Sequence, residues 1–373
     1  MMRKLAVGLI AGATFMVTGA RGGHELPIYP SFYPHEIAIN TLTPEQAAHA
    51  LGKGEIQAFV GSGLSFPDKS PENVAAVESL GAFVMARVNP HSSLVTAQTS
   101  ACDIVKAAVR ALSSEPRFIL HPYPVAPFHG DYLYHSDLAT AAKARFSGGN
   151  AALPQPKIKA SAGFARAHPE WSGNDWDVEI VEVDAARALA SEMWSVNGRL
   201  GPPWLKAGWF GAMRLLGTTI DDPAGRARIG SMARRLEAGD FVGLPERINL
   251  ERDLVRALTA GCQAMIIGYT VKREYVNVEF SAGIENIGYD AITGLASPIF
   301  IRTVKLKDFP WNGWLALGTG DKAGAAWNPV GGMTDRFGQF LAFTIGDPAL
   351  LPAPYGAGWM LNRISDLPPN WSP

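Results

Sequence analysis

The chain has only two cysteines, Cys102 and Cys262, in 373 residues. With no CxxC or CxxCH pattern, thioredoxin-type redox chemistry and covalent c-type haem attachment are excluded. Charge of one sign is also missing: 33 Lys and Arg stand against 34 Asp and Glu, a net −1. No basic field is available to attract nucleic acid. Beyond the N-terminus no apolar run is long enough to cross a bilayer, which argues against an integral membrane protein. Nucleophile and nucleotide signatures are absent too. There is no H-E-x-x-H, no Walker lysine and no G-x-G-x-x-G before a helix, and GSGLS at 61–65 transposes the serine and glycine of a G-x-S-x-G elbow. What remains, 47% hydrophobic and 18% charged residues, describes a folded globular protein whose length suits two domains.

The N-terminus has the layout of a secretory signal peptide. Arg3 and Lys4 precede an apolar run from Leu5 to Val17, followed by Thr18, Gly19 and Ala20. Cleavage after Ala20 and a periplasmic location are expected; a retained N-terminal anchor is the alternative. Cleavage after Gly23 would leave His24 as a copper-chelating N-terminus, but it puts Arg21 where a small side chain is needed. In an oxidising compartment Cys102 and Cys262 either form one disulfide between distant parts of the chain or remain two buried thiols.

Along the chain, helix and strand signals alternate. ELPIYPSFYP at 25–34 predicts an extended path whose rings, Tyr33 among them, line a cleft or seal a core edge. Thr43-Pro44 starts a helix that carries Ala47, Ala48 and Leu51 inward and stops at Gly52 and Gly54, before a strand Ile56–Val60 and the loop GSGLSF at 61–66. Pro71–Glu78 reads as a short helix, Ala82–Val88 as a strand and Ala101–Leu112 as a helix. The glycine- and proline-rich stretch at 147–163 reads as a linker or long loop, dividing an α/β domain at 21–146 from a second at 164–373. That second part predicts a strand Val178–Val183 and helices Ala185–Val196, Pro203–Leu216, Pro223–Ala238 and Asn249–Thr259. Arginines 226, 228, 234 and 235 form a solvated face or grip an anion. Strands Ala264–Thr270, Tyr275–Phe280 and Pro298–Leu306 follow, then a tail with Trp311, Trp314, Trp327, Trp359 and Trp371. The expected fold class is α/β, two-lobed, with mixed sheets flanked by helices and a β-rich aromatic C-terminal part.

Three neighbourhoods carry chemistry. Arg117–Asp137 gathers three of the eight histidines and two aspartates on a proline-broken loop. His129 and Asp131, like His135 and Asp137, are two apart, the spacing of an imidazole and its orienting carboxylate in extended chain. His121, His129, Asp131 and His135 could hold a transition-metal ion such as zinc, copper or iron. Alternatively they form a satisfied structural loop or line a ligand pocket, with Asp137 capping the helix 138–146. In the second neighbourhood, Lys272, Arg273 and Glu274 stand before a strand, with Glu279, Glu285, Asn286, Tyr289 and Asp290 after it. Glu279 and Glu285 could act as acid and base or hold a cation, or the charges satisfy one another. Third, Gly61, Ser62 and Gly63 after a strand offer backbone N–H groups and a hydroxyl to an anion.

PEQAAHALGKGEIQAFVGSG at 44–63 resembles the helix-to-strand step of periplasmic solute-binding proteins with two α/β lobes, with Gln57 where that family commonly has aspartate. The resemblance implies a small ligand or metal ion held between the lobes, with the GSGLSF loop facing it and a membrane permease as partner. Two other readings stay open. One is a periplasmic metal-dependent enzyme using His121, His129 and His135, with Asp131 as orienter or base. The other is an accessory protein of a periplasmic oxidation system that docks on a dehydrogenase.

Overall fold

The computed structural model describes residues 34–66, 69–96, 99–147, 153–189, 203–310, 313–322, 336–346 and 349–362. The signal segment, Tyr33, Trp311, Trp327 and Trp371 lie outside them. Strand β1 (Glu36–Thr41) leads to helix α1 (Pro44–Lys53), strand β2 (Ala58–Val60) and strand β3 (Val74–Val88). Helix α2 (Ala101–Leu112), strand β4 (Ile119–Leu120) and helix α3 (Ser136–Ser147) come next. Then follow β5 (Ile158–Ala160), α4 (Ala162–Ala165), β6 (Val178–Asp184) and α5 (Ala185–Leu189). Helices α6 (Gly208–Leu216), α7 (Pro223–Ala238) and α8 (Gly243–Leu258) lead to strand β7 (Ala264–Asn277). The last part holds β8 (Ile284–Asn286), α9 (Pro298–Thr303), β9 (Lys305–Leu306), β10 (Trp314–Thr319), α10 (Arg336–Ile345), β11 (Leu350–Pro352) and β12 (Trp359–Leu361).

Local chemistry sets several ends. The Thr43 hydroxyl accepts the Gln46 N–H at 3.3 Å while the Gln46 side chain accepts the Thr43 N–H at 2.9 Å, and Gly54 closes α1 in a left-handed conformation. Ser100 and Asp103 form the same reciprocal cap on α2. Asp222 caps α7, whose first residue is Pro223.

Eight strands form one mixed sheet, ordered β1-β10-β2-β7-β3-β6-β5, with β4 beside β7. Pairs β1–β10, β10–β2 and β5–β6 are parallel; β2–β7, β7–β3 and β3–β6 are antiparallel. Strands from both sides of residues 147–163 enter it. Strands β3 and β7 run the length of the sheet and are shared by two halves. In one half, Phe83, Met85, Ile266 and Tyr269 pack under α6, α7 and α8, while Val84, Ala86, Met265 and Ile267 pack on α2. This two-sided burial explains why residues 82–86 and 264–269 read as continuous apolar runs. In the other half, β2, β10 and the end of β7 are covered by α9 and α10 on one side and α1 on the other. Among the described residues no helix is long and apolar enough to cross a membrane.

The expected α/β class, a mixed sheet flanked by helices, is what the chain adopts, and four local expectations change. Residues 71–78 are not a helix: β3 begins at Val74, because Val74 to Ser79 pair with β7 in register, and long-range pairing overrides Ala/Glu propensity. Lys272, Arg273 and Glu274 do not precede a strand but belong to β7, which joins the two strands expected at 264–270 and 275–280. Phe280, expected as the last residue of a strand Tyr275–Phe280, lies beyond it and is exposed, since β7 ends at Asn277 and the chain turns there. Pro298–Thr303 is helical, not extended; it starts at a first-turn proline and is buried on all sides, which gives it a strand-like apolar run.

Cys102 at the start of α2 and Cys262 just before β7 are joined, closing a separation of 160 residues. Non-reducing mass spectrometry is expected to find the two as one cross-linked peptide. Replacing both by serine is expected to lower unfolding stability by ~2–5 kcal/mol, read from urea midpoints.

Candidate functional site

One edge of β7 is paired to β3 along its length, whereas the other is shared out. Strand β4 pairs with Gly268 and Tyr269, and β2 with Tyr275 and Val276. Between them, residues 270–274 have no partner strand on that edge among the described residues. A cavity of about 770 Å³ opens at this gap, bounded by Thr270, Lys272, Arg273 and Tyr275 of β7 and by Glu78 and Gly81 of β3. Ser62 and Gly63 close it from one half, while Arg117 and the β6 carboxylates Glu182 and Asp184 close it from the other. At its middle β3 is bulged: Leu80 pairs with Val271 and Ala82 with Thr270, leaving Gly81 over. A side chain at 81 would meet the Lys272 N at 2.9 Å and the Thr270 O at 3.0 Å, so the two backbones can approach only over glycine.

The walls carry both charges. Arg273 Nε donates to Glu78 Oε1 at 2.8 Å, and Arg117 donates to Glu182 while lying over the Phe164 ring. Asp184 accepts the Arg187 N–H at 2.7 Å and, with Ser62 and Lys272, also borders a smaller adjoining hollow that reaches Thr319 and Asp321. Lys272 is committed inward: its ammonium meets the Thr293 carbonyl at 2.9 Å and Glu274 at 3.1 Å. Glu274, almost fully buried, also accepts the N–H groups of Gly61 and Leu295 at 3.1 and 2.7 Å, fixing the loops beside the cavity.

Of the sequence candidates, Ser62, Gly63, Lys272 and Arg273 meet in this cleft. Glu279 and Glu285 do not. Glu279 accepts the Ser281 and Ala282 N–H groups, which hold its carboxyl below the usual range, and Glu285 pairs with Lys305 at 2.7 Å. Glu78, Arg117, Glu182, Asp184 and Tyr275 went unrecognised in the sequence. Glu182 and Asp184 had a signal, two carboxylates on one face of the alternating VEIVEVD.

The histidine loop folds on itself. His121, His129 and His135 are all buried. His121 Nε2 donates to the Val125 carbonyl at 2.9 Å, and His129 Nδ1 accepts the Ala126 N–H at 2.9 Å. Each of these rings is spent on the loop's own backbone, and the set His121, His129, Asp131, His135 does not converge as one centre. Nor does Asp137 cap α3 or orient His135. The helix starts one residue earlier, and Asp137 forks with Arg252, both bonds 2.7 Å, which holds its carboxyl well below the usual range. Instead Asp131 and His135 face Glu251 of α8. Burial, then the Asp131 charge beside it, pushes Glu251 up to about 8.

No protein-family model matches the chain, and no curated protein sequence matches it significantly. Solved structures do match at low similarity. HbpA2 from Haemophilus parasuis aligns over 71% of this chain and 56% of its own, with 11% identity and a TM-score of 0.40. A substrate-binding protein from Microbacterium hydrocarbonoxydans, solved with 4-hydroxybenzoate hydrazide, aligns over 70% and 57%, with 12% identity and a TM-score of 0.35. The ABC transporter-associated periplasmic binding protein DppA from Helicobacter pylori, in complex with the peptide STSA, aligns over 71% and 55%, with 12% identity and a TM-score of 0.36. The chain spans about half the length of the structures it matches.

Burial holds the His121 imidazole below its ordinary value of 6.5, and the charges of His129 and Lys143 act in the same direction. As pH falls through 6.5 the unfolded chain takes up this proton first, so stability is lost on the acid side. His121→Gln removes the titration. Its urea midpoint is expected to fall less between pH 7.5 and 5.5 than that of the unsubstituted protein.

Proposed function

We propose that the protein is an exported binding protein that holds a small solute of mixed charge in the cleft at the β7 gap, a short peptide being the ligand chemistry that fits best. The observation that carries this reading is the cavity itself, which opens where an interior strand lacks a partner and is walled by both arginines and carboxylates from the two halves of the sheet. Between β4 and β2 no strand among the described residues covers this edge of β7, and an extended ligand would lie along it. Arg117 and Arg273 suit a carboxylate, and Asp184 suits an ammonium group. The exposed Arg273–Glu78 pair contributes little to stability in water, so exchange of partners for a ligand is inexpensive. The signal-like N-terminus and the disulfide support a periplasmic location, and a membrane permease is the partner this role requires.

A panel of amino acids, di- and tripeptides and free carboxylates, screened by thermal shift and then calorimetry, tests the proposal. A peptide ligand is expected to bind without turnover. Arg273→Ala and Asp184→Asn are each expected to weaken it roughly ten- to a hundred-fold, the loss of one charge-assisted hydrogen bond. No shift with any peptide, or equal binding by both variants, would sink this reading.

A further inference from the structure

Outside the cleft, three polar atoms in the interior converge without hydrogen-bond partners. Asp131 Oδ2, His135 Nε2 and Glu251 Oε2 are sealed from solvent and unpaired, and a ligating atom of each residue lies within 4.8 Å of the other two. His135 is fully buried and Glu251 is 3% exposed. Buried polar atoms are ordinarily paired, so three orphans in one place call for a common partner. We propose that Asp131, His135 and Glu251 bind one divalent transition-metal ion, with zinc the best fit.

The donor set decides the class of ion. Two carboxylate oxygens and one imidazole nitrogen suit zinc and its neighbours, whereas calcium and magnesium take oxygen ligands in larger number. The surroundings hold each ligand in place. The Tyr123 hydroxyl lies 2.7 Å from His135 Nδ1, and burial keeps that phenol protonated. With Nδ1–H donating to the Tyr123 oxygen, the ring is oriented and Nε2 keeps its lone pair for the metal. On the other side, Arg247 Nε stands 3.5 Å from Glu251 Oε1, leaving Oε2 for the ion. Arg247 offsets one of the two neighbouring carboxylate charges, and a divalent ion between Asp131 and Glu251 would offset the repulsion that remains.

Asp131 precedes the 3-10 turn Tyr132–His135 and His135 ends it, and Glu251 lies on the core-facing side of α8. The ion would therefore fasten the histidine loop to the helix layer under β3 and β7, away from the cleft lining. This site is independent of the solute proposed for the cleft.

Elemental analysis and metal titration test the assignment. Protein purified without an affinity tag from its native host, in chelator-free buffer, is expected to carry about one zinc per chain. After stripping with dipicolinate, added zinc chloride is expected to bind and raise the melting temperature. Cobalt(II) is expected to give visible ligand-field bands that His135→Gln abolishes. The shape-preserving Asp131→Asn and Glu251→Gln are each expected to weaken zinc at least tenfold, while His121→Gln retains it. If the variants fail to fold, the titration of the unsubstituted protein decides. Metal-free native protein that gives neither heat nor a melting shift with Zn²⁺, Mn²⁺ or Ni²⁺ overturns the proposal, and the three atoms then share a proton.

Discussion

Backbone pairing between β3 and β7 is the constraint on which the rest depends, because both halves of the molecule are hung on this one antiparallel ribbon. It joins residues 74–87 to residues 264–277, so the chain must close a long loop before any cross-strand contact stabilises it. The Cys102–Cys262 link spans the same route, running from the helix that follows β3 to the residues that precede β7. It removes loop entropy from the unfolded chain where the ribbon needs it most. Apolar side chains on both faces of the ribbon then supply the cores of both halves.

Sharing a ribbon creates the cleft. Strands β2 and β4 lie on the same edge of β7 but at opposite ends, and the five residues between them, 270–274, are left to loops and side chains. The bulge at Gly81 falls opposite this interval. Bulges locally strengthen twist and loosen the ladder, so the backbone is most adaptable at the level where the two halves face each other. The cavity and the backbone irregularity thus coincide for a geometric reason.

How much of this was legible in the sequence depends on how local each signal is. The start of α1 was readable because Thr43-Pro44 acts within one turn, and the span of α2 because its apolar spacing is local, whereas the Ser100–Asp103 and Asp222 caps emerged only with the structure. The first half of β3 was not, since only its pairing with β7, far away in sequence, makes Val74–Ser79 extended. Ser62, Gly63, Lys272 and Arg273 could be picked out from their glycines and charges. Their convergence with Arg117 and Glu182 is tertiary and has no local signature. Glu251 is the instructive omission. It occupies the stripe of α8 that also carries Leu254, Val255 and Leu258, and a carboxylate on the apolar face of a helix needs a buried partner. Two members of the buried cluster, Asp131 and His135, lie in the histidine-rich loop singled out in the sequence, and the distant helix face supplied the third.

The two charged clusters obey opposite energetics, which separates their roles. In the cleft, Arg273 and Glu78 are each about half exposed or more, and an exposed pair is worth ~0–1 kcal/mol. Its groups can therefore turn to a ligand with little loss to the fold. Lys272 sits in the same wall but behaves differently. With its side chain 9% exposed and its ammonium between Glu274 and the Thr293 carbonyl, withdrawing it would leave Glu274 charged and buried, a loss of ~3–5 kcal/mol. Gly294 completes that arrangement. It has φ +70 and no room for a side chain beside the Glu274 carboxylate, so the 290–295 loop can close over the pair only as glycine. Lys272 thus shapes the cleft rather than reaching into it, and under the proposed solute-binding role the residues that turn to a ligand are the ones whose present partners hold them least.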